Sequence, residues 1–336
     1  MQSSMNNPSN DRSWQKTIIK YNQPDFRKSI WQLINSILPY FILWFLMIWS
    51  LKVSYLLTLA LAIIASGFLV RIFIIFHDCG HGSFFHSQKT NEIVGKFCGI
   101  LAFTPYHMWH KQHSGHHATT VNLDKRGVGD IWTMTVNEYL SATKWQRFTY
   151  RAFRNPFVLF IIGTLFLFLI KNRFSKKDLT AKERWNVYFT NLILLAIAVG
   201  MSLIIGLKAY LIIQIPLIYF GHLFGLWLFY IQHQFEDVTW EKSDSWDYKT
   251  AAIQGSSFLK LPLVLQWFTG NIGFHHIHHL SPRIPNYNLA QCQVENELFK
   301  DVKPITFLET FKAMKLSLWD EANRQLVRFS KVRISN

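Results

Sequence analysis

Two pairs of apolar runs dominate this chain, at about 34–51 with 53–76 and at 187–206 with 209–230, and histidine clusters begin where those runs stop. A helix crosses the roughly 30 Å hydrocarbon layer with about 20 apolar residues, so each run can span and each pair reads as a hairpin. The turns fall near Leu51-Lys52 and Gly206-Leu207-Lys208. Two shorter runs lie at about 93–106 and 156–170. As helices they reach only about 20 and 22 Å, too little for a crossing. Positive charge flanks the second on both sides, from Lys144, Arg147, Arg151 and Arg154 to Lys171, Arg173, Lys176, Lys177, Lys182 and Arg184. Positive loops stay cytosolic, so both ends of this run are expected on that side, with the run re-entrant or in the interface.

Composition points the same way. Half of the 336 residues are hydrophobic and only 16% are charged, where soluble domains carry about 25%. The net charge of +15 sits beside apolar runs, which favours an anionic membrane surface over nucleic acid as the partner. Cys79, Cys98 and Cys292 form no C-x-x-C pair and imply no disulfide framework. Cys79 reads as a small apolar residue rather than a ligand. The expected architecture is an all-α integral membrane protein with about four transmembrane helices in two hairpins. Short interfacial or re-entrant helices and a helical cytosolic cap built from 77–155, 171–186 and 231–336 complete it. Residues 1–30 read as a polar tail, disordered from Met1 to Ser13 and without a signal peptide. Residues 31–336 read as one membrane domain.

Nine of the fourteen histidines fall in patterned positions. His77 and His81 are four apart, which puts both rings on one helix face. His113, His116 and His117 are spaced i, i+3, i+4, and so are His275, His278 and His279. His233 stands alone after the fourth run. Nine imidazoles exceed what one ion takes and suit two ions at four or five nitrogens each. Imidazole serves iron, copper, zinc and nickel alike, so spacing does not choose the metal. No Glu precedes a histidine by three, as soluble di-iron bundles require, and no His-Glu-x-x-His occurs. Two spans before His77 and two between His117 and His233 put all the clusters on one side of the membrane, here the cytosolic one. Imidazole ligands need acceptors for their second nitrogens. The candidates are Asp78, Asp124, Asp130, Glu236 and Asp237, with ion pairing at the surface as the plainer alternative. Asp78, one residue past His77, is expected to reach a ring of another cluster. His86, His107, His110 and His276 read as bystanders, and His222 as a hydrogen-bonding group within the bundle.

His77-x-x-x-His81, His113-x-x-His116-His117 and His275-x-x-His278-His279 resemble, in order and spacing, the three histidine boxes of the membrane fatty acid desaturases. Longer stretches extend the likeness: His77-Asp-Cys-Gly-His-Gly-Ser-Phe-Phe85, Asn122-Leu-Asp-Lys-Arg-Gly-Val-Gly-Asp-Ile-Trp132, Gly255-Ser-Ser-Phe258 and Gly270-Asn-Ile-Gly-Phe-His-His-Ile-His-His-Leu-Ser-Pro-Arg-Ile-Pro-Asn-Tyr287. They are similar to the Gram-positive bacterial acyl-lipid desaturases of the Δ5 phospholipid type, over about residues 30–330. The resemblance implies two iron ions, O2 as co-substrate, and removal of two hydrogens from neighbouring methylenes of a membrane lipid's acyl chain. It makes His233 the ninth ligand. Relatives hold a water through an Asn four residues before that histidine; Phe229 stands here, so that ligand does not carry over. Two electrons come from an external carrier such as ferredoxin or flavodoxin, because the chain has no cytochrome-like His-Pro-Gly-Gly. Phe84, Phe85, Tyr106, Trp109, Trp267, Phe268 and Phe274 either line an acyl channel or pack as anchors. Other three-box oxygenases, such as alkane hydroxylases and carotenoid ketolases or hydroxylases, share the boxes but not the flanking stretches. A metal transporter would place its ligands at the bilayer midplane.

Overall fold

The computed structural model describes residues 13–127 and 129–332. Among them, four helices are long and apolar enough to cross a membrane: Phe26–Ser50, Tyr55–Gly80, Ala181–Ile205 and Leu207–His233. These are the first to fourth spans below. The first starts at Asp25, whose carboxylate accepts the Lys28 backbone N–H at 3.0 Å and satisfies an otherwise orphaned donor. The third starts at Thr180, which exchanges capping hydrogen bonds with Glu183. Only Gly206 separates the third span from the fourth, at φ 87°, a conformation that costs glycine little. Both hairpins therefore stand where the apolar pattern places them. The second and fourth helices run on past their apolar runs, which carries His77 and His233 out on their ends.

The second span is the axis of the bundle. Leu69, Ile72, Ile75 and Phe76 are buried against Tyr40 and Met47 of the first span and Ile213 and Leu217 of the fourth. The third span is peripheral, with Leu192, Leu195 and Leu203 exposed along its outer face. With lipid outside, such a face loses nothing by its exposure.

Neither short apolar run forms a single straight spanning helix, and the second, with the helix before it, makes either a broken span or a re-entrant loop. Residues Gln88–Leu101 make a 14-residue helix capped by Ser87, with Cys98 and Gly99 inward and Ile93 and Phe97 outward. The other follows helix Lys144–Arg154 and is bent from it by 67°, running over Phe157–Arg173. Its backbone widens into π-helical turns at Phe157–Ile162 and Phe166–Ile170. Arg173 ends it by donating to Asn191 of the third span at 2.9 Å.

One expectation needs correction. The tail does not extend to residue 30: a short helix covers Ser13–Ile18, and Ile18 and Tyr21 are buried with Leu280, Leu289 and Phe299. Asn288 donates to the Tyr21 carbonyl at 3.1 Å and Tyr21 donates to Glu295 at 2.9 Å. Two isolated apolar anchors in a polar stretch have no period to betray them. The expected disorder of Met1 to Ser13 otherwise falls on residues 1–12, outside the described residues. The cap is mostly helical, as expected, and carries a few short strands. Phe258–Lys260 pairs in parallel with Pro304–Thr306, and Met134–Thr135, Leu318–Asp320 and Gln325–Val327 form a second small sheet. These strands tie the C-terminal segment to the rest of the cap.

Candidate metal centre

Four helices bring the patterned histidines to one end of the bundle. His77 and His81 come from the end of the second span, and His233 is the last residue of the fourth. His113, His116 and His117 lie on helix Tyr106–Thr119, and His275, His278 and His279 on helix His275–Leu280. The rings sort into two groups. His77, His81, His113, His117 and His278 form one; His116, His233, His275 and His279 form the other. Within each group the candidate ligand atoms lie within 4.8 Å of one another.

The two three-histidine helices are split in the same way. The i, i+4 pair goes to one group and the residue between them to the other. His113 and His117 join the five-residue group while His116 joins the four; His275 and His279 join the four while His278 joins the five. Residues one and three positions apart from a neighbour point about 100° and 60° off its face, so a single turn of helix serves two centres.

The protonation pattern calls for a cation. His116 Nδ1 donates to Asp130 Oδ1 at 2.7 Å, and His233 Nδ1 donates to the Gly255 carbonyl at 3.1 Å. A neutral imidazole has one N–H, so both Nε2 atoms carry bare lone pairs. Those two atoms face each other at 3.0 Å, and His275 Nε2 stands 3.1 Å from His233 Nε2. In the five-residue group, Nε2 of His77, His113, His117 and His278 follow one another at 3.0, 3.1 and 3.0 Å. Buried lone pairs that face each other as those of His116 and His233 do repel unless an ion sits between them. Two nitrogens about 2.1 Å from one ion and at right angles are roughly 3.0 Å apart. Burial first, then repulsion from neighbouring rings, pushes His81, His113, His117, His275, His278 and His279 well below the ordinary imidazole range. The rings are thus held neutral, the form that binds metal. The donor set fits a pair of imidazole-binding ions.

The candidate acceptors divide. Asp130 meets its ring as described. Asp78 does not reach another cluster: its Oδ1 takes the Nδ1–H of its own neighbour His77 at 3.2 Å. The Nδ1 edge of the ring lies close to the helix, which lets an adjacent carboxylate reach sideways. Oδ2 of Asp78 accepts the backbone and side-chain N–H of Asn286 at 2.7 and 2.8 Å, which locks the carboxylate. Asp124 lies away from every histidine and accepts the Ser243 backbone N–H at 2.8 Å. Glu236 and Asp237 are exposed just past the fourth span and contact no ring. His222 lies inside the bundle, with its Nε2 2.9 Å from the Ala102 carbonyl. His107 meets Glu92 at 3.0 Å and His276 meets Gln293 at 2.9 Å. His110 stands beside Ser114 and His86 is exposed.

Sequence reasoning missed several partners. The Gly255 carbonyl orients His233, and glycine is required there because a Cβ would stand 2.4 Å from Val121 and from the Ala251 carbonyl. Trp109 stacks on His113 with centroids 4.4 Å apart. Gly80 leaves room for that indole: a Cβ there would stand 2.8 Å from it. Asn286 and Gly255 both sit in the quoted flanking stretches, which was the available signal. Phe229 packs its ring 5.3 Å from His116 and 5.6 Å from His233.

The comparisons with known proteins follow this geometry. The family model described as fatty acid desaturase matches residues 51–306. The chain belongs to the fatty acid desaturase family. It is 50% identical to the fatty acid desaturase of Bacillus subtilis (strain 168), over 95% of this chain and 90% of that one. It is 27% identical to the sn-1 oleoyl-lipid 12-desaturase of Picosynechococcus sp., over 67% of this chain and 64% of that one. It is 26% identical to the chloroplastic sn-2 acyl-lipid omega-3 desaturase (ferredoxin) of Helianthus annuus, over 66% and 51%.

Proposed function

We propose that the chain is a di-iron, O2-dependent desaturase that places a cis double bond in the acyl chain of a membrane phospholipid. The observation that carries this reading is the pair of bare-nitrogen groups at the membrane end of a fatty acid desaturase fold. His77, His81, His113, His117 and His278 hold one iron, and His116, His233, His275 and His279 hold the other. Iron bound there supplies the oxidising power for breaking an unactivated C–H bond. Asp130, the Gly255 carbonyl and Asp78 keep the donor nitrogens aimed inward. The four-residue group is wholly buried, which keeps water from the substrate's reacting carbons.

The balance is one O2, two electrons and two protons consumed, with two substrate hydrogens removed and two waters formed. A soluble donor such as ferredoxin or flavodoxin supplies the electrons at the basic cap, which is read as the cytosolic face of a bacterial plasma membrane. Relatives named as acyl-lipid desaturases support the lipid substrate, and the quoted stretches support the Δ5 position. The test is expression in a host without unsaturated lipids, with double-bond positions read by gas chromatography. A new alkene in phospholipid acyl chains is expected. Hydroxylated or ketone products without an alkene would instead identify one of the other three-box oxygenases.

A further inference from the structure

Beneath the histidine groups, a cleft of about 730 Å³ opens between the second span, the fourth span and the bent segment. Gly67, Val70, Phe160, Leu223, Leu228 and Phe268 shape it, and no charged residue lines it. The volume is that of a small-molecule site. Its walls are not sealed. Ile64, on the second span, is 49% exposed and Phe157, on the bent segment, 64%; Phe311, on the C-terminal helix Phe307–Ala313, is 51% exposed. Toward the metal end, Val70 lies seven residues before His77 and Leu228 five before His233. Those separations are about 10 Å and 7.5 Å of helix rise.

The rim carries a different chemistry. Lys260, Lys312 and Lys315 are exposed, each next in sequence to a residue of the cleft wall: Leu261, Phe311 and Met314. The one acidic residue in those wall-forming segments, Glu309, is engaged by Thr306 at 2.8 Å. Helix Lys144–Arg154 meets the bent segment at Pro156 and shows exposed Trp145 and Phe148 beside Lys144 and Arg147. Aromatics beside cations are the signature of a helix lying at head-group level. Leu263 and Leu308, 83% and 75% exposed, add apolar anchors on two more sides.

We propose that this cleft admits the acyl chain of an intact anionic phospholipid sideways from the bilayer, with the head group held at the lysine rim. The inference rests on the desaturase reading and names the route by which its substrate arrives. A water-soluble thioester has no reason to approach through a wall of lipid-facing side chains. A bilayer lipid is already there, and its phosphate matches the rim's charge. Gly67 is part of the gate: a Cβ there would stand 3.0 Å from the Phe268 ring, so the two together set the width of that wall.

The test uses the full chain in phosphatidylcholine nanodiscs doped with a phosphatidylglycerol bearing a mid-chain diazirine. Irradiation and peptide mapping are expected to label the segments around Phe160, Leu223 and Val70 above the outer face of the third span. Leu223→Trp is expected to lower cleft labelling by roughly tenfold, the loss for excluding two methylenes. Leu195→Trp, on the lipid face of the third span, leaves it unchanged. Unlabelled phosphatidylglycerol competes better than acyl-CoA. Labelling equal on the third span and in the cleft means only annular lipid and overturns the inference, as does stronger competition by acyl-CoA. Double bonds made without cleft labelling overturn it while sparing the desaturase reading. Cleft labelling without double bonds supports lipid entry and counts against desaturation instead.

Discussion

The two histidine groups are built alike and buried differently. The four-residue group is fully enclosed, and two of its rings are oriented by Asp130 and the Gly255 carbonyl. In the five-residue group His81 and His113 are half-buried, with Trp109 stacked over His113. One group thus has a rigid, dry shell with a phenyl ring, Phe229, against it. The other has a donor to spare and an edge near the surface. The contrast suggests unequal tolerance to damage: losing one donor of four opens a site, while losing one of five leaves a complete set.

The largest expected effect tests that asymmetry directly. His116→Ala should abolish double-bond formation with the protein still in the membrane, and iron analysis should fall from about two ions per chain to about one. His81→Ala should keep more of its iron; equal losses in the two variants would erase the distinction between the groups. Next in size is Asp130→Asn. It keeps the shape but weakens the hold on His116, and should cost roughly 10–100-fold in metal affinity by chelator competition. Asp78→Asn keeps a single acceptor oxygen, so either His77 or Asn286 loses its partner, and it should cost either metal affinity in the five-residue group or stability of the cap, read by chelator competition and thermal unfolding.

Gly255→Ala tests the orienting carbonyl. Overpacking against Val121 should cost about 1–3 kcal/mol of stability and move His233, read by thermal unfolding and iron content together. A pH effect follows for the metal-free protein. His81, His113, His117, His275, His278 and His279 have folded-state values below those of the unfolded chain. The unfolded state therefore takes up more protons as pH falls below about 6.5, and stability drops in that direction. Thermal unfolding at pH 7.5 and 5.5 measures it, and bound metal should blunt the drop. The smallest effect is His86→Ala at an exposed position, within roughly 0.5 kcal/mol of the parent and with most activity retained.

Periodicity and length made the four spans legible, because a helix that crosses lipid needs an unbroken apolar run. The i, i+4 and i, i+3, i+4 spacings made eight of the histidines legible, because they put the rings of each cluster on one side of a helix, while His233 was marked only by its place after the fourth run and by the resemblance. Neither could show that each triplet divides its rings between two groups; that depends on how two helices face each other. Asp130 and Asp124 look equivalent as residues near a cluster, and only the path of the chain puts one on His116 and the other on Ser243. Glu236 and Asp237 fail for the same reason: proximity in sequence to His233 does not survive the end of the helix.

The sequence alone determined that this chain spans a membrane and gathers imidazoles at one end of it, since hydrophobic length and ligand spacing are local properties written residue by residue. Which nitrogens are bare, which carboxylate steadies which ring, and where a lipid-facing cleft opens were decided by tertiary packing. Those properties belong to pairs of side chains brought within about 3 Å from distant parts of the chain, a distance at which hydrogen bonds form or fail.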